Sequence, residues 1–209
     1  MTKIFLVRHG ESQWNVLKKV QGQQDILLTD KGILQANLIG DRLINEYIDK
    51  IYSSDLRRAY DTAVIIGKKI GLNNVIPIKE FREINFGKWE GMNHDELYKE
   101  YHNEIQIWRR NPKNLNLKGA ETLRGLQARV MRGMNKVLAN NAGNNILIVS
   151  HGVALKTMIL GLLDMDLSYY KNLTLNNTSL TIIEDRDYNR VIRVLNDTYH
   201  TKEKYQNGK

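Results

Sequence analysis

Two short apolar runs, each followed directly by a His-Gly pair, constrain the fold of this chain most. Residues 4–7 precede Arg8-His9-Gly10, and residues 146–149 precede Ser150-His151-Gly152. Short apolar runs rich in β-branched residues that end at glycine predict buried strands leading into a turn. In α/β proteins, ligands bind outside the carboxyl ends of parallel strands. We therefore expect both histidines at a sheet edge where a ligand binds.

Strand and helix patterns alternate along the rest of the chain. Apolar periodicity of 3.6 residues predicts helices over residues 30–47, 56–70, 94–110, 122–140 and 153–162. Shorter apolar runs predict strands over residues 3–7, 50–53, 75–78, 145–150, 179–184 and 190–195, with a hairpin turn at 185–189. Such alternation is typical of a three-layer α/β/α sandwich with a mostly parallel central sheet. The length, 209 residues, predicts a single domain over residues 1–209.

Composition narrows the class of protein further. The chain has no cysteine, which rules out disulfides and thiolate metal sites. No apolar run approaches the ~20 residues of a membrane span, and the run before Arg8 is too short for the core of a signal peptide. These features predict a cytoplasmic protein with no membrane partner.

The net charge of +8 is concentrated in one stretch. Between Pro112 and Ala142 six Lys or Arg residues stand against one acid, so this stretch supplies +5 of the total. On the helix predicted over residues 122–140, the basic face of 124–136 lies opposite an apolar stripe. We interpret it as a solvated face. It has no interleaved aromatic residues and no nucleic-acid-binding motif, so we expect no nucleic-acid partner.

The residues after the first strand suggest phosphate chemistry. A neutral imidazole is a good nucleophile, and a guanidinium group binds phosphate oxygens with several donors. Three further segments also have polar or charged residues next to predicted strand ends or glycines. They are Asn15 with Gln21-Gly22, the run Ser53-Ser54-Asp55-Leu56-Arg57-Arg58-Ala59, and the loop Arg82-Glu83-Ile84-Asn85-Phe86-Gly87-Lys88-Trp89-Glu90-Gly91.

Taken together and in this order, these motifs resemble the histidine phosphatase superfamily, also called the phosphoglycerate mutase-like family. The resemblance extends over nearly the whole chain and implies a phosphoglycerate mutase-like fold. It implies that His9 becomes phosphorylated, that Glu83 is the acid and base, and that Arg8, Arg58 and His151 complete the catalytic set. It also implies phosphate or substrate binding by a wider set: Arg8, Ser12, Asn15, Gln21, Gly22, Arg58 and Gly152. In the family pattern the phosphate-binding arginine directly precedes alanine, which selects Arg58 rather than Arg57. No cofactor and no metal are expected.

Charge considerations agree with these roles. Arg8, Arg58 and His151 can compensate a phosphomonoester that carries close to two negative charges. The same arginines disfavour an imidazolium at His9. As proton donor, Glu83 needs a raised pKa, which burial and the substrate's charge would favour.

The sequence favours a phosphatase that acts on a small phosphorylated metabolite. A phosphoglycerate mutase-type isomerase is the alternative, but the chain is short and lacks the Glu-Arg-His-Tyr-Gly-like sequence of such mutases. A non-catalytic module that binds a phosphorylated ligand is a second alternative. Residues 92–119 are expected to cap the site and to select the rest of the substrate. Phosphoglycerates, sugar phosphates, ribazole phosphate and a broad range of substrates all stay open, as does a homodimer.

Overall fold

A six-stranded sheet forms the centre of this computed structural model, which describes residues 1–201. The strands are β1 (Thr2–Arg8), β2 (Lys50–Ser53), β3 (Val75–Pro77), β4 (Ile146–Ser150), β5 (Leu180–Asp185) and β6 (Arg190–Asp197). Their order in the sheet is β3-β2-β4-β1-β5-β6. The first four strands are parallel, and β5 and β6 run antiparallel to their neighbours.

Helices cover both faces of the sheet. The longer helices are α2 (Asp30–Leu43), α3 (Arg57–Ile70), α6 (Leu123–Ala139) and α7 (Gly152–Leu162), and the shorter ones are α1 (Gln13–Val16), α4 (His94–Glu100) and α5 (His102–Arg110). Helices α2 and α3 pack together, as do α6 and α7. This arrangement confirms the predicted three-layer α/β fold with a mostly parallel sheet.

Strand β1 shows why two separate cores form. Successive side chains of a strand point to opposite faces. Phe5 and Val7 accordingly lie in the core beneath α2 and α3, whereas Ile4 and Leu6 lie in the larger core beneath α6 and α7. All four side chains are at most 1% exposed. Burial on both faces explains the continuous apolar run that the sequence displays.

The helix predicted over residues 30–47 ends earlier than expected. It stops at Leu43, and Ile44 and Tyr47 are 53% and 87% exposed. The buried stripe runs instead through Ala36, Ile39 and Leu43. Because Ile44 and Tyr47 are exposed, they contribute no buried packing that would extend the helix.

The predicted helix over residues 94–110 is two helices, α4 and α5. The break is at Tyr101, whose φ of −131° and ψ of 42° are not helical. The ring of Tyr101 packs edge-on against Trp89, with centroids 6.1 Å apart. The apolar periodicity continues through Tyr101, but the helix breaks where Tyr101 contacts Trp89. The other predicted helices and strands appear with ends shifted by up to two residues, and α1 was not predicted.

Candidate active site

The carboxyl ends of the parallel strands carry the polar groups that the sequence singles out. Arg8 is the last residue of β1 and lies opposite Ser150, the last residue of β4. His9 follows Arg8 directly. His151 comes next on β4, so the two imidazole rings lie side by side with centroids 5.3 Å apart. Arg58 stands in the first turn of α3 after β2, and Glu83 lies in the loop that follows β3.

The hydrogen bonds of His9 define its tautomer. Its Nδ1 lies 2.7 Å from the carbonyl oxygen of Gly10, which can only accept, so Nδ1 carries the proton. Nε2 therefore keeps its lone pair. His9 is 2% exposed. Burial, together with the charges of Arg58 and Arg8, holds the pKa of His9 well below its usual range. The imidazole is thus neutral and nucleophilic at physiological pH.

Backbone carbonyls hold both arginines of the site. Arg8 donates from Nη1 to Leu175 at 2.7 Å. Arg58, which is 1% exposed, donates from Nη1 to Gln24 at 2.6 Å and from Nη2 to Gly22 at 2.8 Å. The buried Nε atoms of Arg8 and Arg58 have no hydrogen-bond partner among residues 1–201. The two guanidinium groups are therefore fixed in place with donors to spare for an anion.

His151 is a second buried imidazole beside these arginines. Its Nε2 lies 2.8 Å from the hydroxyl of Ser54, and its Nδ1 has no partner within the described chain. Burial is the main reason that the pKa of His151 is well below the usual range, and the charge of Arg58 adds to it. Gly152 follows, and a Cβ placed there would lie 3.6 Å from Nε of Arg8.

Glu83 is held at the amino terminus of α7. Its Oε1 accepts from the backbone N–H of Ala154 and of Ile84, each at 3.0 Å, and its Oε2 accepts from Val153 at 3.1 Å. The residue is 8% exposed and forms no ion pair with any residue of 1–201. Glu83 is therefore not part of an ion-paired surface segment. Oε2 accepts only one of these hydrogen bonds, so its second lone pair is left for a proton.

A small polar network lines the approach to His9. The hydroxyl of Ser12 lies 3.0 Å from Oδ1 of Asn15 and 2.8 Å from Oε1 of Gln21. These contacts use the amide oxygens and leave the NH2 groups of Asn15 and Gln21 for a ligand. Asn177 joins the network by donating from Nδ2 to Oδ1 of Asn15 at 3.3 Å, and it also donates to the carbonyl of His9 at 3.0 Å. Sequence reasoning missed this residue.

Gly22, whose carbonyl accepts from Arg58, has no room for a side chain. Its φ is +50°, a conformation that favours glycine, and a Cβ would come 1.9 Å from Oε1 of Glu90. Glu90 itself accepts from the N–H groups of Gln23 and Phe86, each at 3.0 Å. It therefore joins the loop of Gly22 to the loop of Glu83.

Arg129 corrects the interpretation of the basic helix. It is not part of a solvated face, because it donates to the carbonyls of Glu80, Arg82 and Glu83 at 2.8 to 3.2 Å. It also forms a bidentate pair with Glu121 at 2.7 and 2.8 Å. One side chain thus binds three carbonyls of the four-residue segment 80–83, which ends at Glu83. No periodicity signals this role, because the three carbonyls come from a distant segment.

The described residues contain neither a cluster of metal ligands nor a membrane-spanning helix. Within residues 1–201 no group of three or more His, Asp or Glu side chains could hold a metal ion. None of the helices described is long and apolar enough to cross a bilayer.

Comparison with known proteins identifies the family. The model of the histidine phosphatase superfamily (branch 1) matches residues 4–198. The chain therefore belongs to the histidine phosphatase superfamily, as its motifs predict. The predicted activity, a phosphatase that uses the histidine phosphatase mechanism, is confirmed by this membership and by the phosphatases among its relatives.

Individual relatives cover nearly the full chain. Phosphoserine phosphatase 1 of Hydrogenobacter thermophilus is 35% identical over 98% of this chain and 97% of its own length. A probable phosphoglycerate mutase, GpmB, of Yersinia pestis is 36% identical over 88% of this chain and 85% of its own length.

Solved structures give the same result. YhfR of Bacillus stearothermophilus has a TM-score of 0.90 at 32% identity, covering 96% of this chain and 99% of that protein. A phosphoserine phosphatase from Entamoeba histolytica, solved with 3-phosphoglyceric acid, has a TM-score of 0.85 at 35% identity, covering 96% and 99%. The agreement confirms the predicted phosphoglycerate mutase-like fold.

The contacts of Arg129 generate a first prediction. Replacing Arg129 with Met removes the donors that gather the Glu83 loop, so Glu83 is no longer held in position. We expect kcat for p-nitrophenyl phosphate to fall about tenfold to a hundredfold, the size typical of a misplaced catalytic group.

Arg132→Met is the matched control, because Arg132 is an exposed arginine on the same helix. Its kcat should stay within about twofold of the original. Arg129→Lys should restore part of the activity, because an ammonium group can still donate to carbonyls. Equal activity of Arg129→Met and Arg132→Met would refute a positioning role for Arg129.

Proposed function

We propose that the protein hydrolyses small phosphomonoesters in two steps, through a phosphohistidine at His9. One observation carries the proposal: the Nδ1–H of His9 donates to the carbonyl of Gly10, which leaves Nε2 unprotonated, and the charges of Arg58 and Arg8 both act on this imidazole. A nucleophile, two anion donors and a nearby carboxyl group are what phosphoryl transfer to nitrogen requires.

In the first step, Nε2 of His9 attacks phosphorus while the bond from phosphorus to the ester oxygen breaks. Arg8, Arg58 and the Nδ1–H of His151 stabilise the charge on the three equatorial oxygens. His151 has its proton on Nδ1 when its Nε2 accepts from Ser54. The hydroxyl of Ser54 is free to donate there, since its oxygen already accepts from the N–H of Leu56 at 3.2 Å.

Glu83 supplies the proton in that step. It enters as the carboxylic acid and transfers its proton to the leaving alkoxide, which converts it to the carboxylate. The three backbone N–H donors that surround it then stabilise the charge that it has gained. In the second step the carboxylate takes a proton from water as the water attacks phospho-His9. Phosphate leaves, and the neutral imidazole is restored.

Ser12, Asn15, Gln21, Gly22 and Gly152 are assigned to binding of the phosphate or substrate. The free amide groups of Asn15 and Gln21 support this assignment. The chemistry needs no metal, since Arg8 and Arg58 provide the positive charge and would repel a cation.

We further propose that residues 92–119 act as a cap within a single domain. A cavity of about 250 Å³ is lined by Phe86 and Trp89 on one side and by Leu97, Ile105 and Trp108 of this segment on the other. Such a mostly apolar cavity next to the Glu83 loop fits the non-phosphate part of a substrate.

The phosphohistidine is tested directly. Brief mixing with ³²P-labelled substrate, followed by denaturation, should give a protein label that is stable to base and labile to acid and that maps to His9. His9→Ala should lose the label and at least a thousandfold of kcat, roughly the effect of removing a nucleophile, with its fold retained by circular dichroism. Label on a serine or aspartate would falsify the mechanism.

A mutase is the second candidate, because one relative is a probable phosphoglycerate mutase. Given 3-phosphoglycerate and a bisphosphoglycerate primer, the protein should release inorganic phosphate and form little 2-phosphoglycerate. Phosphate assay and ³¹P NMR measure both products in one sample. Efficient primer-dependent isomerisation would replace the phosphatase by the mutase.

The role of Glu83 is tested with two leaving groups. Glu83→Gln retains the shape and an acceptor oxygen but cannot give up a proton. The burst rate with an alkyl phosphate should fall about a hundredfold or more, within the range of general acid catalysis. The burst rate with p-nitrophenyl phosphate should fall much less, because p-nitrophenolate leaves without protonation. Equal losses would mean that Glu83 only positions the substrate.

A further inference from the structure

Lys156 stands beside the site, and the mechanism above does not use it. It lies on α7, one helical turn after Gly152. Side chains of a helix lean toward its amino terminus. The ammonium group of Lys156 is therefore directed back toward the end of α7 where Gly152 faces Arg8 and where Glu83 is bound.

The ring of Tyr170 holds this ammonium group in position. Its Nζ lies 3.6 Å from the ring centroid of Tyr170, a cation–π contact. Tyr170 is 7% exposed and packs in turn against Trp108 of the proposed cap, with ring centroids 5.4 Å apart. Lys156 thus lies between the phosphate-binding end of the site and the segment expected to hold the rest of the substrate.

The ammonium group has no carboxylate partner within residues 1–201. It interacts with Glu83 only at longer range, and Glu83 is already held by backbone N–H groups. Burial lowers the pKa of Lys156 to about 8, with the nearby charge of Arg8 acting in the same direction and Glu83 against it. At pH 7 the group is therefore mostly charged, partly desolvated and unpaired.

When a phosphomonoester with no further charge binds, the ammonium group of Lys156 has no anionic partner among the residues described. Arg8 and Arg58 match the two negative charges of the phosphate, and in the proposed first step Glu83 takes part as the carboxylic acid. A neutral alcohol portion offers Lys156 nothing to bind. A substrate with one further negative charge on its organic part would satisfy it.

We propose that Lys156 is a specificity-determining residue that binds a carboxylate on the organic part of the substrate, so that the enzyme selects phosphomonoesters of small hydroxy acids. This inference rests on the proposed phosphatase function and names its substrate class. A second phosphate group is a poorer match, because it would bring two charges to one ammonium group. The cation–π contact holds the ammonium against the ring of Tyr170 and leaves its other donors for the carboxylate oxygens.

The test uses substrates that differ only in the carboxylate. The first pair is 3-phosphoglycerate and the glycerol phosphate of the same configuration, in which a hydroxymethyl group replaces the carboxylate. The second pair is O-phospho-L-serine and phosphoethanolamine. For each pair the measured quantity is the ratio of the two kcat/KM values. This ratio cancels changes that affect phosphoryl transfer itself.

The original protein should prefer the carboxylate substrate of at least one pair by tenfold or more, and Lys156→Met should reduce that ratio about tenfold to a hundredfold. A charge-assisted hydrogen bond in a partly buried site has an effect of this size. Lys156→Arg should retain part of the preference. Lys68→Met, which removes an exposed charge far from the site on α3, should leave the ratio unchanged.

The preference should also decline as the pH rises above about 8. Below the pKa of Lys156 the ammonium binds the carboxylate, and above it the neutral amine does not. Glu83, Arg8 and Tyr170 face this group, but they act equally on both members of a substrate pair. The decline should be absent in Lys156→Met.

Several results would overturn the proposal. One is a ratio near one in the original protein for both pairs. Another is a Lys156→Met variant that loses the same factor on both members of a pair, which would place Lys156 in phosphoryl transfer. Failure of the proposed function looks different: the original protein would then not hydrolyse p-nitrophenyl phosphate at all. Circular dichroism of Lys156→Met confirms that its fold is intact.

Discussion

The parallel pairing of β1 with β4 is the constraint on which the site depends. Its register sets Arg8 opposite Ser150, and the N–H of His9 continues the pairing by donating to the carbonyl of Ser150 at 2.9 Å. The next residue of each strand is then a histidine, which brings the two imidazole rings together. A slip of one residue would send side chains of one strand to the opposite face. Burial of both faces of β1 and β4 prevents such a slip.

Burial of several polar groups at one sheet edge determines their protonation. The low pKa of His9 and of His151 follows first from burial and then from the neighbouring guanidinium groups. Backbone carbonyls accept hydrogen bonds from both guanidinium groups and hold them in place, and that of Arg58 is fully buried. Donors held in this way require little reorganisation when charge develops on a phosphoryl group. The site is therefore prepared for an anion before one binds.

In the proposed mechanism, the phosphoryl group and the organic part of the substrate are bound by different parts of the fold. Strand ends and the first turns of α3 and α7 carry the groups for phosphoryl transfer. The face of α7 that bears Lys156, the residue Tyr170 and the segment 92–119 lie farther along the site. One fold can carry different functions through a few exchanged side chains, and in our proposal those side chains lie outside the sheet.

The sequence by itself determined which segments along the chain form strands and helices, because apolar periodicity and glycine positions are local properties. It also predicted the residues from which the candidate site is built, since Arg8-His9-Gly10, Arg58, Glu83 and His151-Gly152 are carried by short motifs. It did not predict the break at Tyr101 or the end of α2 at Leu43, because contacts with distant residues decide which apolar side chains are buried. Arg129 shows the same limit. On its helix it belongs to a row of surface cations, and only the tertiary structure brings three carbonyls from the Glu83 loop within its reach. No local pattern distinguishes Lys156 either, since its position over Tyr170 and near Arg8 exists only once α7 has packed against the sheet.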